Sequence, residues 1–361
     1  MNIKFAALAM SLAFATPSLA DQADDKKTFR TAYKAYQQAA AAGEVDDALK
    51  FARQAFDYGE KVYGPDHKNT AALTLNYGRL ITKDKEALPI FKLAVKRYEK
   101  IYGRDSEKLI GPLTDLASKS TSYPDIKKAH FIYKRALSLV ETHYPDDKMW
   151  QGRLRLETGK SALNARERSV ANRYLTTAKK IFAAQPDKPG LAKLAETEFY
   201  IGKYHLAAKH YETATESLLN SLDTFEKYAP GGQMSMANHA FLIRAYEEQG
   251  KRDLATKHCQ AIGAKKPLND DQDYLPVYLI HPNYPRSAQR TGDEGYVVVE
   301  LTVDSNGFVK DPKIMENGGV AAFKKASLEA ADKFRYAPRY ENGKPVETTG
   351  VRYRFTYTLS N

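Results

Sequence analysis

The 361-residue sequence has one cysteine and one tryptophan, and beyond its first 20 residues it has no long hydrophobic run. A single cysteine, Cys259, excludes an intrachain disulfide framework and a cysteine-rich zinc site. The chain also lacks His-x-x-x-His and His-Glu-x-x-His spacings, a phosphate-binding glycine loop and a Gly-x-Ser-x-Gly elbow. We therefore predict a protein that is not an enzyme, with no catalytic residues, no metal site and no cofactor.

Residues 1–20 have the three-part layout of a secretory signal peptide. A basic start at Lys4 precedes an apolar run over 5–14, and Ser18 and Ala20 supply the small residues of a cleavage site. A membrane-spanning helix needs about 20 apolar residues, so we expect cleavage after Ala20 and a mature chain without a transmembrane segment. Export argues against nucleic acid as a partner, although the net charge of +11 favours anionic ligands.

Residues 21–265 repeat with a period near 40. An alanine, a residue four positions later and a small or apolar residue three further on lie on one face of a helix. This triplet occurs as Ala48/Ala52/Ala55, Ala87/Phe91/Ala94, Ala129/Tyr133/Ala136, Ala171/Leu175/Ala178, Ala207/Tyr211/Ala214 and Ala255/Cys259/Ile262. Glycines five residues before the first alanine, at Gly43, Gly202 and Gly250, predict the turns between paired helices.

This period resembles tetratricopeptide (TPR) repeats of the kinesin light chain kind, and it predicts a TPR-like α-solenoid rather than an irregular helical bundle. Stacked repeats of this kind present an extended binding surface. The predicted groove residues are the polar side chains of the first helix in each pair: Asn76, Arg79, Arg153, Arg155 and Lys203. They form either a basic groove for an acidic peptide or glycan, or a solvated basic face. Cys259, at the bulky triplet position, is predicted to be a buried thiol.

After residue 265 the pattern changes. Residues 266–274 are polar, contain Pro267 and lack periodicity, so we interpret them as a linker. Residues 275–361 then show strand-type alternation over 296–303, a turn at 304–307 and a returning strand. A helical stripe over 320–335 and an alternating last strand over 351–359 complete a small α+β module. We expect cleavage of the linker to release this module in a folded state.

The module carries the motifs of a known family. They are Tyr284-Pro285-x-x-Ala288, Gly292-x-x-Gly295, Gly307-x-Val309, Phe323-x-x-Ala326, Phe334-x-Tyr336-x-Pro338, Gly343-x-Pro345-Val346 and Gly350-Val351. Together, over residues 276–361, they resemble the TonB C-terminal domain. The resemblance implies a periplasmic module that receives a short extended peptide of an outer-membrane transporter along a sheet edge.

On this resemblance two groups of residues are predicted to contact the partner. The first group, around the Tyr-Pro motif, comprises His281, Pro282, Asn283, Tyr284 and Pro285. The second group, on the last strand, comprises Val351, Arg352, Arg354 and Thr356. TonB itself has an uncleaved membrane anchor and a Pro-rich spacer, whereas this chain is expected to have a cleavable signal segment and a solenoid in their place. Force transduction by this chain therefore does not follow from the resemblance.

Three functional hypotheses follow. The first is a periplasmic adaptor of the TonB system, whose solenoid binds one protein while the C-terminal module engages an outer-membrane transporter or a component of the transducing complex. The second is a cell-envelope scaffold that binds peptidoglycan or a protein unrelated to uptake. In the third, the C-terminal module is a structural cap on the solenoid.

Overall fold

A computed structural model describes residues 19–265 and 274–359. Residues 1–18 of the predicted signal peptide and all of the predicted linker except Tyr274 lie outside the described residues. The chain forms two compact units, Met1–Ser161 and Ala162–Asn361. Within the described ranges, no helix combines the length and apolar character that a membrane span requires.

The first unit consists of consecutive helices, and the first six pack each against the next. They are α1 (Leu19–Ala42), α2 (Val45–Tyr63), α3 (Lys68–Leu80), α4 (Asp84–Tyr102), α5 (Ile110–Lys119), α6 (Ile126–His143) and α7 (Lys148–Asn164). The triplets of α2, α4 and α6 are buried, with at most 5% exposure, as the spacing predicts. Small side chains at these positions let neighbouring helices approach closely.

Polar contacts between residues about one repeat apart link successive repeats of this unit. The Arg79 guanidinium lies 2.7 Å from the Asp115 carboxylate, and Lys92 Nζ lies 2.8 Å from the carboxylate of Asp125. The Tyr144 hydroxyl donates to the Glu107 carboxylate at 2.7 Å. Each of these bonds joins residues that are 33 to 37 positions apart, which is about one repeat. Successive repeats of the unit are therefore stacked with their equivalent positions side by side.

The second unit begins with five further helices and ends with the α+β module. The helices are α8 (Arg168–Ala183), α9 (Lys188–Ala207), α10 (Tyr211–Tyr228), α11 (Gln233–Glu248) and α12 (Arg252–Lys265). The triplets of α8 and α12 are buried as predicted. Cys259 is fully buried, and this burial raises the pKa of its thiol to about 12, which confirms a core thiol rather than a nucleophile.

The predicted triplet that begins at Ala207 is wrong. Ala207 is the exposed last residue of α9, and Tyr211 begins α10, so the two do not share a helix. The buried set is Ala214, Leu218 and Ser221. The triplets therefore begin at Ala48, Ala87, Ala129, Ala171, Ala214 and Ala255, and their spacing is more regular than that of the predicted series.

Gly202 was also assigned wrongly to a turn. It lies inside α9, where an added Cβ would come within 2.6 Å of Leu218, so its role is the close approach of two helices. The turn is made instead at Lys209, which has a φ of +62°. The residue five positions before the first alanine of a triplet also has a positive φ in other repeats. It is Arg166 before α8, with a φ of +64°, and it is Gly43 and Gly250 before α2 and α12, with φ values of +75° and +71°. The turn therefore requires a left-handed residue, which need not be glycine.

The module contains α13 (Arg286–Thr291), β1 (Gly295–Val303), β2 (Val309–Asn317), α14 (Ala321–Ala331), β3 (Arg339–Glu341), β4 (Lys344–Val346) and β5 (Thr348–Tyr357). An antiparallel sheet of order β2-β1-β5 packs one face on α14. The core combines alternate residues of β1 with Phe323 and Phe334. The fold is thus mainly helical repeats followed by a small α+β domain, as predicted.

Candidate functional site

The last strand, β5, has one free edge, because within the described sheet it pairs only with β1. The direction of the backbone groups follows from β1. The carbonyl of Tyr296 accepts a bond from Gly318 N–H at 3.0 Å, and Asp304 N–H donates to Phe308 O at 2.9 Å. Backbone groups alternate in direction along a strand, so even-numbered residues of β1 face β2 and odd-numbered ones face β5.

The register between β1 and β5 then identifies the free backbone groups. Val297 pairs with Phe355 and Val299 with Tyr353, so these β5 residues direct their N–H and C=O groups to β1. The residues between them direct theirs outward, and these are Arg352, Arg354 and Thr356. The structure therefore places three of the four predicted β5 residues on the free edge. The fourth, Val351, is 7% exposed and belongs to the core.

The arginine side chains of β5 lie across the outer face of the sheet. Arg352 Nε lies 3.0 Å from the Glu300 carboxylate on β1. The Arg354 guanidinium lies 3.7 Å from the centroid of the Tyr296 ring. These cross-strand pairs favour the observed register and leave the backbone edge uncovered.

The opposite edge, β2, is less suited to pairing. It contains Pro312, which has no N–H to donate, and Asp311 has a φ of +48°. The pairing of β2 with β1 has two register shifts, after Val298 and after Glu300. Bulges, proline and charged residues are the features that protect sheet edges from further pairing. The pairing of β5 with β1 has one register shift, between Leu301 and Val303, and beyond it β5 pairs without interruption from Val351 to Tyr357. The two edges of the sheet therefore differ, and this part of β5 is the more regular one.

The predicted residues around the Tyr-Pro motif extend from the end of β5 to α14. The Tyr284 ring lies 5.6 Å from that of Phe323 and 5.7 Å from that of Tyr357, and its hydroxyl donates to Asp293 O. His281 and Asn283 are exposed, while Pro282 and Pro285 are half-buried. All five line a cleft of about 310 Å³ against α14. The two predicted groups thus meet where Tyr284 packs on Tyr357.

The predicted solenoid residues lie in both units. In the first unit, Arg79 is paired with Asp115, and Arg155 is paired with Glu141. In that unit Arg153 is exposed and Asn76 is half-buried. In the second unit, Lys203 Nζ lies between 5.2 and 5.7 Å from the ring centroids of Phe199, Tyr200 and Phe241. Two of the five predicted groove side chains, Arg79 and Arg155, therefore already form ion pairs with acidic residues of the chain itself.

Arg335 is not among the residues predicted from the sequence, and it joins the C-terminal domain to the last repeat. Its side chain is fully buried and paired with Glu247 on α11. It also donates to Thr256 Oγ1 at 2.8 Å and to Asn306 O at 3.0 Å. The Phe308 ring centroid lies 3.7 Å from its guanidinium. The one signal in the sequence is an arginine inside the apolar run Phe334-Arg335-Tyr336-Ala337.

Close backbone packing supports the same contact. A Cβ at Gly263 of α12 would lie 2.2 Å from Pro338 O, so only glycine fits there. Ala337, Val277 and Tyr278 of the domain belong to the apolar cluster built around α11 and α12. Tyr278 also donates to the Glu248 carboxylate at 3.4 Å, and its burial raises its pKa to about 12. The domain is thus docked on the last helix pair.

Comparison with known proteins identifies both parts of the chain. Residues 280–359 match the family model described as Gram-negative bacterial TonB protein C-terminal, and residues 39–68 match a tetratricopeptide repeat model. Protein TonB of Pseudomonas aeruginosa is 34% identical over 86 residues, which cover 24% of this chain and 25% of that protein. Protein TonB of Vibrio cholerae is 30% identical over 81 residues, 22% of this chain and 33% of that protein. The chain therefore spans a quarter to a third of the length of these curated relatives.

Two solved structures are similar over a larger part of the chain. BtubC (BKLC) from P. vanneervenii has a TM-score of 0.45 and 14% identity, with 72% of this chain and 99% of that chain covered. A kinesin light chain of nearly identical TPR-like repeats from Podosopora anserina has a TM-score of 0.32 and 13% identity, with 68% and 95% covered. The family models establish that this protein joins tetratricopeptide-type repeats to a TonB-type C-terminal domain, which confirms the resemblance seen in the sequence.

Proposed function

We propose that this protein is a non-enzymatic periplasmic adaptor of TonB-dependent transport. Its helical repeats bind one protein partner, and its C-terminal domain binds an extended peptide of an outer-membrane transporter or of a transducer component. The peptide adds to the sheet as a further strand beside β5. This assignment rests on the TonB-type domain and on the signal-like layout of residues 1–20.

The observation that carries the proposal is the free edge of β5. Arg352, Arg354 and Thr356 offer backbone donors and acceptors along the uninterrupted part of β5, from Val351 to Tyr357, whereas β2 contains a proline and two register shifts. Main-chain hydrogen bonds would supply affinity whatever the sequence of the peptide. The cleft lined by His281 and Tyr284 would select among the side chains of the peptide. The exposed β5 arginines, already paired across the sheet, add positive charge beside the edge.

The buried Arg335–Glu247 pair gives the domain a second role. Because the domain packs on α12, it covers the apolar end of the last repeat, which a solenoid needs for solubility. The structural-cap hypothesis is therefore supported together with the adaptor, since a docked domain still exposes β5.

Site-specific photocrosslinking in the native cells tests the adaptor function. A photoreactive residue at Thr356, on the free edge, should crosslink to an outer-membrane transporter or a transducer component. The same residue at Lys310, exposed on β2, is the matched control and should not. Crosslinks to peptidoglycan-associated proteins alone would favour the envelope scaffold, and equal crosslinking from both edges would refute strand addition at β5.

A further inference from the structure

A second cleft lies between the last repeat and the C-terminal domain, away from the β5 edge. It has a volume of about 630 Å³. One wall is α11, with Phe241, Arg244 and Glu248, and the other is the segment 277–281, with Val277, Leu279 and Ile280. We name this space the junction cleft. It requires both parts of the chain, since neither a repeat nor a TonB-type domain alone has both walls.

Both walls of the junction cleft are fixed. The N–H groups of Val277 and Tyr278 donate to Arg335 O at 2.8 and 3.1 Å, and Arg335 N–H donates back to Tyr278 O at 2.9 Å. The side chain of the same arginine is paired with Glu247 on α11. The cleft is therefore preformed, which lowers the entropy cost of binding a ligand.

The lining is apolar with a positive rim. Leu279 is 37% exposed, and Phe241 and Ile280 are half-buried, so the cleft presents apolar surface to solvent. Arg244 is exposed at its edge, and Lys203 Nζ lies 5.3 Å from the Phe241 ring centroid. The acidic residue of the lining, Glu248, is exposed and keeps its negative charge while it accepts bonds from the hydroxyls of Tyr211 and Tyr278 at 3.1 and 3.4 Å, so the positive character of the rim comes from Arg244 and Lys203 together.

The surroundings favour an elongated ligand. Ile280 and His281 border both the junction cleft and the cleft against α14, so the two spaces adjoin along one stretch of backbone. A peptide can extend from one space to the other, with bulky side chains in the apolar parts and carboxylates beside the cations.

We propose that the junction cleft binds an extended segment of a partner protein in which a bulky apolar side chain lies next to a carboxylate. The apolar side chain would pack on Phe241 and Leu279, and the carboxylate would lie beside Arg244. This inference rests on the adaptor function proposed above, and it names the place where the partner of the repeats docks. Binding within the junction cleft leaves the β5 edge free, whereas a ligand that continued into the cleft against α14 would compete there with the side chains of the β5 peptide.

Fluorescence anisotropy with the full chain tests the junction cleft. The probes are three labelled pools of eight-residue peptides: Asp/Glu alternating with Leu/Phe, Asp/Glu alternating with Ser, and Lys/Arg alternating with Leu/Phe. The first pool should bind most tightly. Arg244→Glu should weaken it about tenfold or more by charge reversal, and Leu279→Ser about fivefold by loss of apolar contact. Lys324→Glu, the same charge change at an exposed site on α14, should leave affinity unchanged.

Three results would overturn the proposal. The first is equal binding of the acidic and basic apolar pools, and the second is binding of the first pool by the Arg244→Glu variant as tight as that by the wild-type chain. If Arg352→Glu alone abolished binding, the peptide would belong to β5. Self-association of the wild-type chain that Arg244→Glu abolishes would identify a second copy as the occupant. The Thr356 crosslink is measured independently, so a failure at β5 and a failure at the junction cleft are distinguishable.

Discussion

Arg335 of the C-terminal domain and Glu247 of α11 form an ion pair between side chains that are 0% and 8% exposed. The two residues are 88 positions apart, and the pair links the domain to the last repeat. Buried pairs of this kind have a high desolvation cost, and the loss of Arg335 leaves the buried Glu247 carboxylate with the more distant Arg252, whose Nε lies 3.5 Å away and whose side chain is half exposed.

Removal of one partner should therefore destabilise the second unit. We expect Arg335→Met to lower the free energy of unfolding by about 3–5 kcal/mol, as measured by urea denaturation. Arg352→Met removes an arginine from a pair that is 63% and 31% exposed, and it should cost less than about 1 kcal/mol. If the double variant Arg335→Met/Glu247→Leu is not more stable than Arg335→Met, the Glu247 charge that is left with Arg252 alone is not the cause.

The docked domain also changes the expected result of proteolysis. Cleavage within 266–274 should leave the two fragments associated in size-exclusion chromatography, because Val277, Tyr278 and Ala337 remain packed on α11 and α12. The same nicked chain carrying Arg335→Met should separate. Separation of the unmodified fragments would contradict the docking, whereas circular dichroism of the released fragment tests whether the domain folds alone.

The repeat core gives a third prediction. Ala136 and Ala178 are fully buried, so Ala136→Leu or Ala178→Leu should cost about 1–3 kcal/mol by overpacking. Lys128 is exposed on α6, and Lys128→Leu should change stability by less than about 0.5 kcal/mol. Thermal denaturation compares the three variants. Equal melting temperatures would show that the register of the triplets is incorrect.

A histidine pair between α11 and α12 gives a pH dependence. His239 Nδ1 and His258 Nδ1 lie 2.7 Å apart, so one ring donates and the other accepts. Burial, with His239 and Lys257 adding positive charge nearby, lowers the pKa of His258 from 6.5 to about 4. Burial also lowers the pKa of His239, although the Glu226 carboxylate opposes this.

The sign of the effect follows from proton linkage. His258 binds a proton more readily in the unfolded chain than in the folded one. The contribution of the neutral His258 to the free energy of unfolding should therefore be complete above pH 6.5, and it should be lost as the pH decreases toward 4. The loss from His258 amounts to up to about 3 kcal/mol. His258→Gln should flatten this slope in urea titrations at several pH values, and His281→Gln, at an exposed site, should not. An unchanged slope in His258→Gln would place the titrating group elsewhere.

Periodicity predicted the helix pairs and the three-stranded sheet because burial of one face imposes a regular spacing. It placed the triplet of α10 seven residues early, because Ala207 and Tyr211 match the spacing across a helix boundary. Nothing in the spacing marks Lys209 as a left-handed turn residue. Periodicity cannot predict the contact between Arg335 and Glu247, because this contact depends on how the C-terminal domain packs on the last repeat. The family resemblance pointed to the last strand, but the position of β5 at one edge of the sheet, opposite β2, follows only from the strand order.

The last prediction concerns the register of strand addition. Arg352, Arg354 and Thr356 direct their backbone groups away from β1, so a peptide strand can bond to β5 only through every second one of its own residues. For a peptide that binds the full chain, N-methylation of alternate amides in the bonding set should abolish binding, because each lost bond costs about 1 kcal/mol and the methyl group blocks close approach. N-methylation of the other set, whose amides face solvent, should be tolerated. Isothermal titration of the two methylated series measures the difference. Equal affinity of both series would show that the contact is made by side chains, and the β5 edge would then have no part in recognition.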